Sequence, residues 1–473
     1  MPSIRSDSVY SVSEEAAQRA SGQTDCFTET EGRHVGVAKW KISRFSGWMR
    51  SCLVAATGRI ALLFLERKQA QLYTIQPARS LIPRGGNAAS TAAGDASITS
   101  RLLHPATRYV RPRPLYSNRE LQWSERPQDV PPLELYSIPA AIATRSGVVG
   151  TLDGSIIAES AEQFTVNRHE PDGFIRVHAD RFVLRKVRAA RMFPGDSVLL
   201  ANRHTDNYGH FLLECLPNAR LLNEIPDLAD ARLAIPETSN PALRAAFHEL
   251  LALAGIAKQQ VVEFGGNGEI GVFERLFYAS PITGHPTWKS ETAIRFCERL
   301  AERAATPGAR SPGAGLLYVS RGAAFKRRPT NEGEIIEMLV ANGFDVVYPE
   351  TMSVREQISA FSQARIVVGI LGAAMTNMVF SPRHAQVIVL IPDSITGHFF
   401  WDLASLKHQG YYALFCRTVS QRRGYGDADF YVDPHDLQAA LALAHRAAGR
   451  ADAGSVGAEA AIRIVGRADL GLG

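Results

Sequence analysis

From Leu316 to Pro392 the chain alternates short apolar runs with amphipathic stretches of helical period. Leu316 to Ser320 is an apolar run that predicts a buried strand. Asn331 precedes Glu334 by three, a capping-box spacing, and Ile335, Ile336 and Leu339 follow on one helical face. Asn342-Gly343 predicts the stop of that helix, and Phe344 to Tyr348 the next strand. Ser353 and Glu356 repeat the capping spacing, with Val354, Ile358 and Phe361 behind them. Ile366 to Ile370 is a continuous apolar strand that runs into the small-residue turn ending at Ala374, then a short helix, then a strand from Gln386 to Ile391. Such alternation predicts an α/β fold with a parallel sheet covered on both faces. Ligands of such sheets bind outside the carboxyl ends of the strands. Ser320-Arg321 and Gly372-Ala373-Ala374 sit at such ends, and a cation beside a helix start is a diphosphate site in outline. The Gly-Ala turn serves close helix–strand packing equally well, and the local pattern alone favours packing.

The alternation extends upstream to about Pro131. Ala141 to Ala158 holds strand runs broken by Asp153-Gly154, a hairpin signal. Strands follow at 174–187, 198–200, 232–235, 260–264 and 276–279, and helices at 241–254 and 292–305. His210, Leu213, Glu214 and Pro217 stand at helical spacings after a loop, which puts His210 in the first turns of a helix. The Gly/Pro run at 307–315 reads as a linker. An aromatic segment from Phe399 to Phe415 and a helix from Asp433 to about Arg446 close the ordered part. The expected organisation is an irregular extension over 1–130, one α/β domain over 131–306, a second over 307–446, and a flexible tail over 447–473. Within the extension, 45–68 reads equally as an amphipathic helix at a membrane surface and as a surface-docked helix. Its apolar part is interrupted by Arg59 and falls short of the ~20 residues that span a bilayer. Deleting residues 1–125 is therefore expected to leave a folded core.

Composition narrows the chemistry. With 473 residues, 45% hydrophobic and 21% charged, the chain has the make-up of a soluble globular protein. The net charge of +5 arises with arginine-rich clusters at both ends, and no nucleic-acid motif is present, so no nucleic-acid partner is expected. The five cysteines are scattered without zinc spacing, which favours a reducing compartment and, with the 45–68 segment, a cytoplasmic location peripheral to the inner face of a membrane. No HExxH, GxSxG or early GxGxxG occurs, and Asp427-Ala428-Asp429, a DxD, lies in a Gly-rich turn after two arginines and reads as a solvated loop. No metal site and no cofactor are expected.

Three blocks carry a resemblance. The first is Asn207-Tyr208-Gly209-His210-Phe211-Leu212-Leu213-Glu214, followed by Leu216-Pro217. The second is Ser320-Arg321, followed by Arg327-Arg328 and Asn331-Glu332. The third is Gly372-Ala373-Ala374-Met375-Thr376-Asn377. In this order the chain from about Pro131 to Phe415 resembles glycosyltransferase family 61. The resemblance implies two Rossmann-like domains facing a cleft (the GT-B type), a nucleotide diphosphate sugar such as a UDP-sugar held mainly by the C-terminal half, a carbohydrate acceptor, and inversion at the anomeric carbon. It makes polysaccharide biosynthesis the expected setting. One position departs from the pattern: family members carry a histidine before the Gly-Ala turn, where this chain has Leu371.

Glycosyl transfer needs the diphosphate leaving group stabilised and an acceptor hydroxyl relieved of its proton. For the donor the candidates are Ser320, Arg321, Arg327, Arg328, Gly372, Ala373, Ala374 and Asn377, with Arg321 able to fork onto a phosphate. Arg327 and Arg328 are equally readable as solvated, and Asn377 as ordering its own turn. Asn331 and Glu332 read as a helix start and Glu356 as a capping residue. For the base the candidate is His210, with Asp206 and Glu214 next. A helix N-terminus disfavours imidazolium and would help keep His210 neutral. The other reading of His210 is a packed histidine. From a different class, the alternatives are a catalytically silent nucleotide-sugar or glycan-binding protein, and a structural partner in a membrane-associated assembly.

Overall fold

The computed structural model describes residues 71–82, 97–120, 126–165, 169–178, 180–285, 287–305, 315–322, 326–395, 398–419 and 427–452. The expected helix at 45–68, nearly all of the linker at 307–315 and the tail beyond 452 lie outside the described residues. Two mixed α/β sheets organise the rest.

The first sheet has eleven strands. At its heart Val261–Phe264, Arg232–Pro236, Ala189–Leu199 and Glu269–Ala279 lie side by side and parallel, in the order third, second, first, fourth by sequence. Leu133–Ala143 adds on antiparallel to the fourth. The second sheet runs Asp345–Val347, Leu316–Val319, Ile366–Ile370, Gln386–Pro392, Gly410–Thr418, all parallel, in the order second, first, third, fourth, fifth. Ile366–Ile370 and Gln386–Pro392 are buried at every position, as strands covered on both faces must be. Each sheet reverses its strand order next to its first strand, the place where sheets of this kind bind ligands at the carboxyl ends. In the first sheet the reversal lies between Leu199 and Ala279; in the second it lies between Val319 and Ile370.

Local chemistry sets the helices. Ser353 and Glu356 form the expected capping box on Val354–Ser362. Ser290 caps Glu291–Ala304 by accepting from the Ala293 amide, and Ala293, Ile294, Phe296, Cys297, Leu300 and Ala304 make the buried stripe. Gly343 ends Glu332–Ala341 in the left-handed region at φ 82°. The capping box expected at Asn331 and Glu334 does not form. The Asn331 amide is turned to the backbone of Val432, 101 residues away, accepting from its N–H and donating to its carbonyl.

Residues 71–130 correct the expected irregular extension. Leu72–Gln76 pairs with Ser155–Ile157 and Arg181–Leu184, Thr99–His104 with Leu133–Ala143, and Tyr116–Ser117 with Gly410–Thr418. These strands of two to six residues carry alternating or polar sequences. They are held by partners distant in sequence, so no local period marks them. Arg111 then reaches Asp402 in a fully buried ion pair, which Tyr109 completes by donating its hydroxyl to the same carboxylate.

The two halves do not simply face a cleft. One continuous apolar cluster includes Val198, Phe211 and Ile294 from the first half and Val319, Met375 and Val389 from the second. Among the described residues no helix is long and apolar enough to cross a membrane.

Candidate functional site

The site grows from the two strand-order reversals. After Ala189–Leu199 the chain turns through Asn202 to Thr205 and starts a helix at Tyr208. Asn207 caps it, its side-chain oxygen accepting from the amides of Gly209 and His210. The helix breaks almost at once. Phe211–Cys215 is wound as a π-helix, in which the Leu216 amide reaches back to Phe211, and Leu216–Arg220 is tightened to a 3-10 turn. Pro217 has no N–H to donate, so the regular ladder cannot continue through it. Wide turns of this kind concentrate at functional sites.

His210 and Glu214 meet on this broken helix. The His210 Nδ1 lies 2.8 Å from Glu214 Oε1, and Asn202 Nδ2 donates to Glu214 Oε2 at 2.7 Å. Burial pushes the Glu214 carboxyl up. The His210 hydrogen bond and charge, with Lys289 and His285 beyond, outweigh burial and hold it below the usual range. An ionised carboxylate only accepts, so Nδ1 carries the hydrogen, and in the neutral form of the ring Nε2 carries the lone pair. The other side of the same crevice supplies His285, on the loop that follows Glu269–Ala279. Its ring centroid is 4.8 Å from that of His210, and His204 lies another 4.8 Å from His210. Burial lowers the pKa of His204, and the neighbouring His210 lowers it further. Phe399, from the second half, packs on His285 at 5.5 Å. The fully buried ammonium of Lys289 sits 4.3 Å from the centre of the Phe399 ring. Burial lowers the Lys289 pKa, opposed by Glu214 and Asp402.

At the reversal in the second sheet stands Arg321. It donates to the Leu371 carbonyl at 3.2 Å, and its guanidinium lies over Gly372, where an added side-chain carbon would fall 2.9 Å from Nη1. Burial and then the charge of Arg327 lower its pKa to about 10. Burial also lowers that of Arg327. Arg327 holds a left-handed backbone at φ 55° and its Nε has no partner. Among the described residues neither guanidinium is hydrogen-bonded to a carboxylate. Beside them Ala373–Phe380 begins as a 3-10 helix whose first internal bond is from the Met375 amide to Gly372, so the Ala373 and Ala374 amides precede the ladder.

The two crevices abut. Tyr208 donates its hydroxyl to Asn377 Oδ1 at 2.8 Å, and Gly209 lies so close to Thr376 that an added side-chain carbon would fall 2.4 Å from its Oγ1. Thr376 stands on the same 3-10 helix that Gly372 caps, so this helix joins the Gly372 turn to the His210 helix start.

Several candidates take other places. Asp206 is paired with Arg145 and half exposed. Arg328 pairs with Asp429, and Lys326 with Asp427, so the DxD carboxylates face basic neighbours. Asn377 is completely buried with its oxygen on Tyr208 and its nitrogen donating to Gln357, which leaves neither end for a donor. Ser320 shapes its turn by donating to Glu332 and accepting from Gly322. Leu371 packs on the shared core and offers the site only its carbonyl. His204, Asn202, Lys289 and Phe399 belong to the site without a signal in the sequence. His285 has one signal, its place six residues beyond a strand that reads as apolar, but nothing local shows that this strand lies beside Ala189–Leu199.

His210, Glu214 and His285 place possible ligand atoms within 4.8 Å of one another. Such a set has the donor types of a zinc or other transition-metal centre. Two features oppose that use: the direct hydrogen bond between His210 and Glu214, and the nearby positive charge of Lys289, which acts on both Glu214 and His285.

A search of curated proteins finds no match to this chain. Residues 208–388 match the family model described as Glycosyltransferase 61. That span begins at the His210 helix and takes in His285, Arg321 and the Gly372 turn, so these residues lie in the segment that matches a glycosyltransferase family 61 domain.

Proposed function

We propose that the protein is an inverting glycosyltransferase of the GT-B kind, moving a sugar from a nucleotide diphosphate, a UDP-sugar, to a carbohydrate hydroxyl in polysaccharide synthesis. The observation that carries this reading is the meeting of two unlike crevices. One holds an imidazole oriented by a buried carboxylate; the other holds two guanidiniums that have no carboxylate partner among the described residues, beside the helix-start amides of Ala373 and Ala374. The first suits proton removal from an acceptor hydroxyl. The second suits a developing diphosphate, because both guanidiniums and amides donate to phosphate oxygen. His210 acts as base through Nε2. Glu214 holds the ring by Nδ1 and stabilises the positive charge the ring acquires, and Asn202 fixes Glu214. Arg321 and Arg327 bind the leaving diphosphate with the Ala373 and Ala374 amides. A base and a leaving-group site on opposite sides of the anomeric carbon give single displacement and inversion.

Arg321→Ala tests the donor half. Loss of a charge-assisted hydrogen bond removes about 1.5–3 kcal/mol, so nucleoside diphosphate affinity should fall by roughly tenfold or more. The melting temperature without ligand should barely change. Unaltered affinity in a titration would remove Arg321 from the donor site.

We further place the chemistry outside metal catalysis, since cationic side chains and amides already face the diphosphate. Activity should survive excess chelator. Complete loss restored by manganese would turn attention to His210, Glu214 and His285 as metal ligands. Leu371 favours one other reading, a silent nucleotide-sugar-binding protein, because leucine neither contacts phosphate nor moves a proton. Binding without turnover would identify it. The proposed setting is the cytoplasm with segment 45–68 at the inner membrane face; membrane flotation of full-length and 45–68-deleted protein should differ.

A further inference from the structure

The turn that carries His285 also contributes Trp288 to a second cavity. In this turn the Gly284 amide donates to the Trp288 carbonyl at 3.0 Å, and the indole lies against the Gly284 backbone. The cavity has a volume of ≈ 350 Å³, within the range of small-ligand sites, about 300–1,000 Å³. Three arginines line it, Arg220, Arg295 and Arg299, with His104 and Glu224. Their charges do not cancel. Glu224 takes Arg220 Nη1 and stands 3.6 Å from Arg299, while Arg295 pairs with Glu291. Two carboxylates therefore face three guanidiniums. Arg220 is only 5% exposed, and its Nε and Nη2 have no acceptor. A buried guanidinium with three unmet N–H groups is costly to leave so. An anion in the adjoining cavity would complete the charge balance. Trp288, Pro105 and Ile282 give the wall an apolar part, beside the hydroxyls of Thr107, Ser290 and Thr292. An indole beside a cluster of cationic forks suits a ring that is apolar on its face and carboxylated at its edge.

We propose that this cavity is a subsite for an acidic sugar unit of the acceptor glycan, its carboxylate held between Arg220 and Arg299 and its pyranose face against Trp288. The assignment to an acceptor rests on the carbohydrate-acceptor reading above; the acidic-sugar chemistry rests on the cavity alone. The single turn from Gly284 to Trp288 then joins recognition to the catalytic crevice, with His285 on one and Trp288 on the other.

Calorimetric titration of the full chain tests this with a disaccharide of two uronic acid units, the neutral disaccharide of the same linkage, and inorganic phosphate. The acidic disaccharide should bind at least about tenfold more tightly than the neutral one, and Arg299→Gln should remove about that preference. Arg299 is half exposed, so the substitution leaves the fold in place. Trp288→Leu should weaken both saccharides. Equal affinity for the two disaccharides, or an acidic preference untouched by Arg299→Gln, overturns the proposal. Phosphate binding as tight as the acidic disaccharide also overturns it, since the cavity would then be a simple anion site. Nucleoside diphosphate release, measured on the same preparation, keeps the two claims apart. Donor turnover without acidic preference removes the subsite alone. Acidic preference without donor turnover upholds the sugar site and removes the transferase reading.

Discussion

Replacing His210 by alanine should lower kcat by about 10²–10⁴ and leave nucleotide affinity almost unchanged. A sugar hydroxyl is a poor nucleophile until its proton has an acceptor. His210 offers Nε2 because Glu214 claims Nδ1 at 2.8 Å, and Glu214 is itself held by Asn202. His210→Gln separates chemistry from packing. Glutamine can still hydrogen-bond to Glu214 but cannot take the proton, so its turnover should match that of the alanine variant. Near-normal turnover with glutamine would make His210 a structural residue and leave Glu214 as the next base to test. Asp206 falls behind Glu214 because Arg145 holds it at the surface. Asn202→Ala should also reduce kcat, more mildly, without changing nucleotide binding.

Arg111→Ala should destabilise the protein by about 3–5 kcal/mol, since it leaves the Asp402 carboxylate in the interior without its cation. Denaturant unfolding with acceptable two-state behaviour reads this directly. The partner effects should be strongly non-additive: Arg111→Met with Asp402→Leu should cost less than Arg111→Ala alone, because no charge is left stranded. The same ion pair reverses the expectation for truncation. Removing residues 1–125 takes away Arg111, Tyr109 and the strands at 72–76, 99–104, 107–109 and 116–117, so the remainder should fail to fold cooperatively. A truncated chain with a sharp unfolding transition would show that these strands only decorate the core.

How much of this could be read beforehand follows from the range of the interactions. The strands Leu316–Val319, Ile366–Ile370 and Gln386–Pro392 announce themselves because burial on both faces demands unbroken apolar runs. The Ser353–Glu356 box is legible because both partners lie within one turn. Arg321 and the Gly372 turn were placed together by a topological rule, that ligands gather at the carboxyl ends of parallel strands. The strand order itself depends on long-range pairing, so the first half's reversal between Ala189–Leu199 and Glu269–Ala279 was invisible, and with it the approach of His285 to His210. Leu72–Gln76 and Thr99–His104 are illegible for the same reason. They are short, mixed in polarity and stabilised by pairing with distant partners. Asn331 shows the limit of motif reading: its Nδ2 does meet Glu334 at 3.1 Å, but its oxygen accepts from Val432 and not from a helix amide, so no capping box forms.

The most direct measurement is a screen of nucleotide sugars for release of nucleoside diphosphate, run on the wild-type chain and on His210→Ala, with the anomeric configuration of the transferred sugar read by NMR. One productive donor class is expected, with release of its nucleoside diphosphate in step with transfer to a glycan, an inverted anomeric centre, and a rate reduced by about 10²–10⁴ in His210→Ala. Retention of configuration, or a donor that binds at Arg321 and is never cleaved, would contradict the proposed inverting transfer.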